Sequence, residues 1–425
     1  MASDLTVWLF ADPIGTLSMD DGRLSFSYTT EWFKYGKAVP LSCSLPLQVE
    51  PFDDQKTRPF FAGLLPEGEM RRLIAQQCQV SRQNDFALLD HIGGECAGAV
   101  TLLKPGQTLR LPDAGGDIEW LNDEEVIAML DELPRRPMLA GKDGMRLSLA
   151  GAQDKLPIIF EGVRIGLPRN GTASTHILKP AIHGVEDSVT NEGFCLALAE
   201  AMRLQPVRSK IHAVRDRRFL LVERYDRIAD STGRFQRLHQ EDFCQALGVA
   251  PEMKYQSEGG PDLARCFDLA RRVTRPSAPQ VLRLFDGVIF NALIGNHDAH
   301  AKNFSLLYSA DAPVLAPFYD MLSTALYPTL TAKMAMKIGS KYKFSEIQVQ
   351  HWDQFSEGAG LAKAQARKRI LELAKSLPLT ARKLQADPQR GFAGHPMVEQ
   401  ILLLIKERCA LTIRRLTNPV ASGET

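Results

Sequence analysis

Residues 296–303 read NHDAHAKN and form the densest polar cluster of the sequence, between the largely apolar stretches 284–294 and 304–308. An Asp followed five residues later by an Asn suits a phosphoryl-transfer loop, because one group accepts a hydroxyl proton and the other ligates Mg²⁺. Asp298 and Asn303 fit these two roles. A second carboxylate has to join the metal to the nucleotide phosphates, and Asp320 follows after a short apolar segment. The cluster therefore predicts a phosphoryl-transfer centre.

Two other interpretations of this cluster stay open. A zinc site could use His297, Asp298 and His300, but Lys302 adds a repelling cation and no cysteine is near in sequence. A solvated loop is the commoner explanation for an arbitrary polar loop residue. Six hydrogen-bonding side chains in eight positions favour a functional site over that second alternative.

Residues 148–155 read SLAGAQDK and join a turn of small residues to a predicted strand. Small residues let backbone N–H groups approach phosphate oxygens, so this segment is a candidate nucleotide loop. It is not a Walker motif, because the Gly-x-x-x-x-Gly-Lys-Ser/Thr spacing is absent. A plain hairpin turn is the alternative.

Three further positions could serve a nucleotide. Lys179 ends a predicted strand, where a lysine can pair with the α- and β-phosphates or simply be exposed on an edge strand. Glu192, near the start of the next predicted helix, could hold Lys179 as an ion pair or be an exposed first-turn acid. Residues 221–227, LVERYDR, could form a hinge whose backbone reads adenine while Asp226 binds the ribose. A surface salt-bridge cluster would explain the same charges.

Composition limits the class of protein. The chain has 425 residues, with 51 basic against 50 acidic side chains and a net charge of +1, so no overall field draws it to nucleic acid or an anionic membrane. Its seven cysteines form no Cys-x-x-Cys pair, which fits reduced thiols in a cytosol. The N-terminus MASDLTVWLF lacks a basic region before its apolar run, so a soluble cytoplasmic protein is expected. A basic run on a predicted helix at 363–375 is interpreted as a solvated face, with a DNA-contacting patch as the alternative.

The order of predicted elements favours the α+β class, with a β-rich lobe followed by a mostly helical lobe. Short alternating runs separated by turns predict a meander at 5–28, and helical periodicity follows at 60–75 and 86–92. Linker-like stretches are found at 104–117 and 133–144. Further strands are predicted at 156–160, 164–167, 176–178 and 219–222, and helices at 191–202, 281–293 and 361–377.

Together these stretches resemble the HipA family of bacterial toxin kinases, the serine/threonine kinase halves of type II toxin–antitoxin pairs. The resemblance covers nearly the whole chain, and so many matches in one order are specific although no single one is. The motifs are LSCSLPL (41–47), FFAGLLPE (60–67), GECAGAV (94–100), SLAGAQDK (148–155), ERYDR (223–227), HQEDFCQ (239–245) and NHDAHAKN (296–303) with Asp320.

The resemblance implies a two-lobed, distantly protein-kinase-like α+β fold that binds ATP and Mg²⁺ in a cleft. It implies that Asp298 is the catalytic base and that Asn303 and Asp320 are metal ligands. Ser148 is implied to be an autophosphorylation site, whose modification ejects the glycine-bearing loop and switches the kinase off. The ATP-binding candidates are Ala150, Gly151, Ala152, Gln153, Lys155, Lys179, Glu223, Tyr225, Asp226, His300 and Lys302. The expected domains are an N-terminal β-rich subdomain at 1–105, a linker with a short helix at 106–145, the nucleotide-binding part of the N-lobe at 146–239 and a helical kinase lobe at 240–425.

The implied function is an ATP-dependent protein kinase toxin that phosphorylates a translation component, aminoacyl-tRNA synthetases being known family targets, with a link to persistence. The implied partner is a small helix-turn-helix antitoxin (HipB-like), through which DNA is mainly contacted, and no membrane is involved. A small-molecule kinase with a similar Asp-x₄-Asn loop and a non-catalytic corepressor for the antitoxin are the competing functions.

Overall fold

The computed structural model describes residues 3–36, 38–109, 117–142, 144–230, 235–308 and 312–418. Parts of both predicted linkers, residues 110–116 and 143, lie outside these ranges. Of the described helices, none combines the length and the apolar character needed to cross a membrane.

The chain divides into two compact units. Unit 1 comprises Met1–Ile182, Lys210–Glu252 and Ser305–Asp311, and unit 2 comprises His183–Ser209, Met253–Phe304 and Ala312–Thr425. Unit 1 holds nearly all of the strands, and unit 2 is dominated by helices. The α+β class predicted from the sequence is confirmed, and the domain boundaries drawn there stay a prediction.

The strands are β1 (Ser3–Leu9), β2 (Asp12–Asp20), β3 (Arg23–Tyr28), β4 (Val100–Leu103), β5 (Asp117–Leu121), β6 (Leu156–Glu161), β7 (Arg164–Arg169), β8 (His176–Pro180), β9 (Ser209–Val214), β10 (Arg217–Glu223), β11 (Arg227–Ala229), β12 (Phe235–Arg237), β13 (Gln240–Asp242), β14 (Ser305–Tyr308) and β15 (Pro313–Leu315). The helices are α1 (Thr30–Lys34), α2 (Asp54–Gly63), α3 (Gly68–Gln77), α4 (Asp85–Ile92), α5 (Asp123–Glu132), α6 (Ser188–Ala201), α7 (Phe243–Ala246), α8 (Leu263–Val273), α9 (Ser277–Ile294), α10 (Val349–Gly358), α11 (Lys363–Ala386) and α12 (Pro396–Thr417).

A four-stranded antiparallel sheet, in the order β3-β2-β1-β4, opens unit 1. In β1, the side chains of Leu5, Val7 and Leu9 are buried while those between them are not, which is the alternation expected of a strand with one face on a core. Helix α2 covers that core, and Phe61 lies 5.6 Å from Phe26 of β3, ring centre to ring centre. Burial of each such side chain is worth about 1.5–3 kcal/mol. The predicted meander at 5–28 is confirmed.

A six-stranded sheet follows in the order β5-β7-β6-β8-β10-β9. Strand β8 lies inside the sheet, between β6 and β10, and its residue Lys179 pairs in register with Leu220 of β10. Strand β5, which comes from the predicted linker 106–145, pairs antiparallel with β7. That segment therefore also supplies a strand of the sheet, in addition to the predicted short helix.

Helix α9 is the centre of unit 2. From Leu284 to Ile294 all of its side chains are buried, and α8, α11 and α12 pack around it. A Cβ atom on Gly287 would come within 2.4 Å of the Phe318 ring, so glycine is needed for the segment before Asp320 to pack on this helix. Helix α9 thus supports two segments that carry predicted site residues, the loop that follows it and the segment around Asp320.

Candidate functional site in unit 2

The loop 296–303 begins where α9 ends. Gly295 closes the helix with φ of +80°, in the left-handed region where glycine avoids the steric cost of a side chain. A Cβ atom there would also lie 2.8 Å from Cβ of Ala325. The backbone therefore turns sharply out of the buried helix, and the polar residues that follow are held away from the helix axis.

Asn296 connects the predicted base to the predicted metal ligand. Its Nδ2 donates to Asn291 Oδ1 at 2.9 Å and to the main-chain carbonyl of Asp320 at 3.0 Å. Its Oδ1 accepts from the backbone N–H of Asp298 at 3.1 Å. Asn296 is buried. One amide side chain therefore fixes the backbone at both carboxylates, a role that the sequence did not predict for it.

Asp298 is the exposed acid of this loop. Its Oδ1 accepts a hydrogen bond from the Tyr255 hydroxyl at 2.7 Å. Its main-chain carbonyl accepts from the backbone N–H of His300 at 2.8 Å and from Nδ2 of Asn303 at 2.9 Å. Oδ2 accepts no hydrogen bond from any residue that the structure describes. Asp298 therefore presents a carboxylate oxygen that can accept a proton from a bound hydroxyl.

Asn303 and Asp320 have the donor atoms that Mg²⁺ prefers. The Asn303 amide nitrogen is used on the Asp298 carbonyl, which orients its side-chain oxygen away from that bond. Asp320 has φ of +51°, a conformation that is rare for a residue other than glycine and that clusters at functional sites. Amide and carboxylate oxygens together with phosphate oxygens are a usual Mg²⁺ ligand set, so these two residues fit the ion.

The zinc interpretation is wrong at His297, because both of its ring nitrogens already have partners. Nδ1 lies 3.1 Å from the Thr331 carbonyl, which can only accept, and Nε2 lies 2.9 Å from the Arg408 guanidinium, which can only donate. These contacts require a neutral ring with its proton on Nδ1. Burial, followed by Arg408, lowers the pKa of His297. Across the described ranges, no group of three or more His, Cys, Asp and Glu side chains is arranged to hold a metal ion.

Residues far away in sequence hold the loop backbone. Thr324 Oγ1 accepts from the His297 N–H at 2.7 Å, and the Ala335 N–H donates to the His297 carbonyl at 2.7 Å. Arg408 of α12 also donates to the Ala292 carbonyl at 2.7 Å and lies over the Phe344 ring. No spacing motif marks Thr324, Ala335 or Arg408, so the sequence predicted none of these three contacts.

The basic run on α11 is largely paired. Lys363 lies 2.6 Å from Glu357, Arg367 lies 2.5 Å from Asp353, and Arg369 reaches Asp286 of α9. These ion pairs neutralise much of the charge that a DNA-contacting patch would need, so the structure favours the solvated-face interpretation.

Candidate nucleotide residues in unit 1 and family membership

Residues 148–155 precede β6 and lie against two other segments. Isolated bridges pair Leu147 with Glu95 and Gly151 with Pro66, so the plain hairpin turn is wrong. Gly151 has φ of +111°, and a Cβ atom on it would lie 2.6 Å from the Lys155 ammonium. That ammonium donates to the Ala150 carbonyl. Glycine is thus needed at position 151 for this conformation.

Ser148 lies in the interior of unit 1 and has no exposed surface. Its Oγ donates to the Leu64 carbonyl at 2.8 Å, and its backbone N–H donates to the Glu95 carbonyl at 2.9 Å. Further along the same segment, Ala152 is exposed and Gln153 is half-buried. The predicted modification site is therefore inaccessible to a kinase in this conformation.

Lys179 and Glu192 are both buried, with 6% and 3% of their surfaces exposed. The alternatives of an exposed edge-strand lysine and an exposed first-turn acid are therefore wrong. Lys179 is on an inner strand of the six-stranded sheet, and Glu192 is the fifth residue of α6. Burial of a charged group is costly unless it is paired, which makes both residues candidates for a specific role.

The charged residues of LVERYDR other than Glu223 form a buried cluster and not a surface one. Both Arg224 and Arg227 contact the carboxylates of Asp226 and Glu95, all with 6% exposure or less. The Gly98 N–H donates to Asp226 Oδ2 at 2.7 Å. Burial alone would raise the pKa of Glu95, but the surrounding guanidinium groups outweigh it and lower that pKa to about 2.

This buried cluster affects which residues of the predicted hinge are available to contact a nucleotide. The Asp226 carboxylate has structural partners on both oxygens, whereas Glu223 is exposed and Tyr225 is half-buried. Although burial raises the pKa of Asp226, Arg224 and Arg227 lower it by more. The binding of a ribose by Asp226 stays a prediction, and Glu223 is the acid of this segment that faces solvent.

Family models match both parts of the chain. The model described as the HipA N-terminal domain matches residues 5–103, and the model described as the HipA-like C-terminal domain matches residues 147–381, more than half of the chain. The chain belongs to the HipA family. This membership confirms the resemblance found in the sequence, and relatives that are named as kinases confirm the predicted enzyme class, protein serine/threonine kinase.

Relatives of the HipA family cover most of the chain. The protein named "Putative kinase Y4mE" of Sinorhizobium fredii is 46% identical over 377 residues, which span 88% of this chain and 89% of that protein. The serine/threonine-protein kinase toxin HipA of Shewanella oneidensis is 29% identical over 379 residues, 86% of this chain and 85% of that protein. The solved structure of the Shewanella oneidensis toxin–antitoxin complex of HipA, HipB and operator DNA aligns with a TM-score of 0.83 and 26% identity, over 99% of this chain and 100% of that one.

Proposed function

We propose that this HipA-family chain is an ATP-dependent serine/threonine protein kinase in which Asp298 is the catalytic base. The observation that carries the proposal is the exposed Asp298 carboxylate, in a loop whose neighbouring groups are engaged in holding the backbone. A hydroxyl bound at Oδ2 would give its proton to this carboxylate as its oxygen attacks the γ-phosphoryl group. Asn303 and Asp320 would hold Mg²⁺, which supplies positive charge for the phosphate oxygens.

Residues of unit 1 would bind the nucleotide. Lys179 would pair with the α- and β-phosphates, and its burial on an inner strand supports a fixed position for that charge. The loop 148–155 would bring backbone N–H groups to the phosphates, and Glu223 and Tyr225 would contact the adenine side. His300 and Lys302 of the loop 296–303 are two further candidates for ATP contacts.

Autophosphorylation of Ser148 would inactivate the enzyme. A phosphate dianion cannot remain in a fully buried position whose oxygen now contacts the Leu64 carbonyl. The modified segment would therefore stay outside unit 1, and it would carry Gly151 and Lys155 with it. The bound nucleotide would lose those contacts, so one modification would switch the kinase off.

The chain would act as the toxin of a type II toxin–antitoxin pair. Its similarity to a HipA solved with HipB and operator DNA supports a helix-turn-helix antitoxin as partner. The paired basic residues of α11 support DNA contact mainly through that antitoxin. The substrate would be a component of translation, such as an aminoacyl-tRNA synthetase, in the bacterial cytoplasm.

Mass spectrometry of the purified chain after incubation with Mg²⁺ and ATP tests this proposal. We expect phosphate on Ser148 in the wild type, none on that peptide in Ser148→Ala, and none in Asp298→Asn. Growth of cells expressing each variant, with phosphoproteomics, would identify the target. Transfer of phosphate to a small alcohol without any protein labelling would instead make the chain a small-molecule kinase. If cells that express Asp298→Asn show the same growth and the same operator repression as cells that express the wild type, the chain would instead be a corepressor.

A further inference from the structure

Tyr255 is the residue whose side chain contacts the carboxylate of the proposed base. Its hydroxyl donates to Asp298 Oδ1 at 2.7 Å across 43 residues of sequence. A hydrogen bond to an ionised acceptor is stronger than one between neutral groups, and it restricts rotation of the carboxylate. The contact thus separates the two oxygens of Asp298, one held by the protein and one directed to solvent.

The backbone beside Tyr255 is attached to the same loop by a second route. The Gln256 N–H donates to the Ala335 carbonyl at 3.1 Å, and the Gln256 side-chain oxygen accepts from the Lys337 N–H at 2.7 Å. The Ala335 N–H in turn donates to the His297 carbonyl at 2.7 Å. The backbone beside Tyr255 is therefore attached to the loop through Gln256 and Ala335, independently of the Tyr255 hydroxyl.

The ring of Tyr255 is oriented by its neighbours. It lies edge to face with the imidazole of His300, with ring centres 5.3 Å apart and an interplanar angle of 78°. The Lys254 ammonium lies 5.4 Å from the centre of the Tyr255 ring. These contacts aim the hydroxyl at Asp298, and the side chain does not have to be ordered again when a substrate binds.

We propose that Tyr255 is a positioning residue that holds Oδ1 of Asp298, so that Oδ2 faces the hydroxyl of the phosphoacceptor. This inference rests on the proposed function. In the reaction the acceptor O–H bond breaks and its proton passes to Oδ2. The acceptor oxygen bonds to the γ-phosphorus of ATP, and the bond from that phosphorus to the β–γ bridging oxygen breaks to leave ADP. Tyr255 transfers no proton in this scheme and acts only through Asp298.

The variant Tyr255→Phe in the full-length chain tests this role, because it removes the hydroxyl and keeps the ring. We expect kcat for phosphorylation of a protein substrate, such as casein, or of Ser148 itself to fall about tenfold to a hundredfold, from the loss of one hydrogen bond to a charged group. The KM for ATP should change less than about twofold, because uniform binding of the nucleotide is untouched. Tyr342→Phe is the matched control, since the Tyr342 hydroxyl bonds to no residue that the structure describes.

A double-mutant cycle separates positioning from a structural role. In an Asp298→Asn background, adding Tyr255→Phe should leave the residual single-turnover rate unchanged, because residues that act as a unit are strongly non-additive. An equal loss in both backgrounds would make Tyr255 structural and overturn the inference, as would a Tyr255→Phe enzyme as fast as the wild type. Full activity of Asp298→Asn alone would instead overturn the proposed function itself. If Tyr255→Phe is less stable than the wild type, its activity is compared with that of Tyr255→Leu under conditions where both variants are folded. Tyr255→Leu must then lose at least as much activity as Tyr255→Phe.

Discussion

The loop 296–303 of unit 2 and the cluster around Asp226 of unit 1 are both dense in charged and amide side chains, and they differ in what their carboxylates face. Asp298 is exposed, and among the residues that the structure describes it receives one side-chain hydrogen bond, from Tyr255. Asp226 is 2% exposed and is bonded by Arg224 and by the Gly98 N–H. Two stretches that are both dense in polar residues therefore differ in the solvent access of their carboxylates, and the density of polar residues alone does not predict that access.

The same comparison distinguishes carboxylates that contribute to folding stability from carboxylates that are available for chemistry. A buried carboxylate with guanidinium partners contributes to stability only while the set is complete, because removing one partner leaves an uncompensated charge. An exposed carboxylate with one partner contributes little to folding and is available for chemistry. Substitutions in the two clusters should therefore affect different measurements.

The largest effect is expected from Asp298→Asn. Loss of a general base lowers the rate of phosphoryl transfer by about 10²- to 10⁴-fold. The melting temperature should stay within error of the wild type, because the side chain is exposed. Initial rates with Mg²⁺ and ATP, together with calorimetry of both proteins, check this. A large drop in melting temperature would mean that the acid is structural, as in the other cluster.

The next effect is expected from Asp226→Ala, which should lower the free energy of unfolding by about 3–5 kcal/mol. The cause is the loss of counter-charge for Arg224 and Arg227, which are wholly buried. Urea unfolding followed by circular dichroism measures the change. Glu223→Gln, three residues earlier and exposed, is the matched control and should stay within about 0.5 kcal/mol of the wild type. Equal losses of unfolding free energy in Asp226→Ala and Glu223→Gln would show that burial of a carboxylate does not determine its contribution to stability.

The smallest of the three effects is an acid dependence of stability that belongs to Glu95. Its pKa is about 2 in the folded chain against an ordinary 4.5, so its stabilising contribution is complete above about pH 4.5 and is lost as the pH falls toward 2. Unfolding free energies measured from pH 7 down to pH 3 should therefore fall more steeply for the wild type than for Glu95→Gln. Parallel curves for the two proteins would contradict the assignment.

Local patterns in the sequence predicted much of the fold. The alternation in β1 and the apolar run of α9 identify a strand and a buried helix, because both depend on the residues of one element. Prolines and glycines were less reliable as signals of where a helix begins or ends. The helix predicted at 60–75 is two helices, α2 ending at Gly63 and α3 beginning at Gly68, and α11 continues through Pro378.

The spacing of Asp298 and Asn303 predicts a phosphoryl-transfer loop, which stays a prediction, whereas the residues that support this loop could not be predicted. Asp298 and Asn303 lie in one short stretch, so their relation is visible in the sequence. Tyr255 and Arg408 reach the loop from 43 and 111 residues away, and such contacts exist only once the helices pack. Similarly, the sequence LVERYDR does not indicate whether its charged side chains face water or Glu95, so its burial could not be predicted from that stretch alone.

The contact of Gly287 with the Phe318 ring has a genetic consequence. Any side chain at position 287 would have to displace the aromatic ring two residues before Asp320, because the space for a Cβ atom is already filled. If expression of the chain is toxic, as the proposed function requires, a selection for survivors should therefore recover substitutions at this glycine beside those at Asp298. Such alleles would lie inside a helix, outside the proposed ATP and metal contacts, and would still behave as loss-of-function alleles of the proposed catalytic loop.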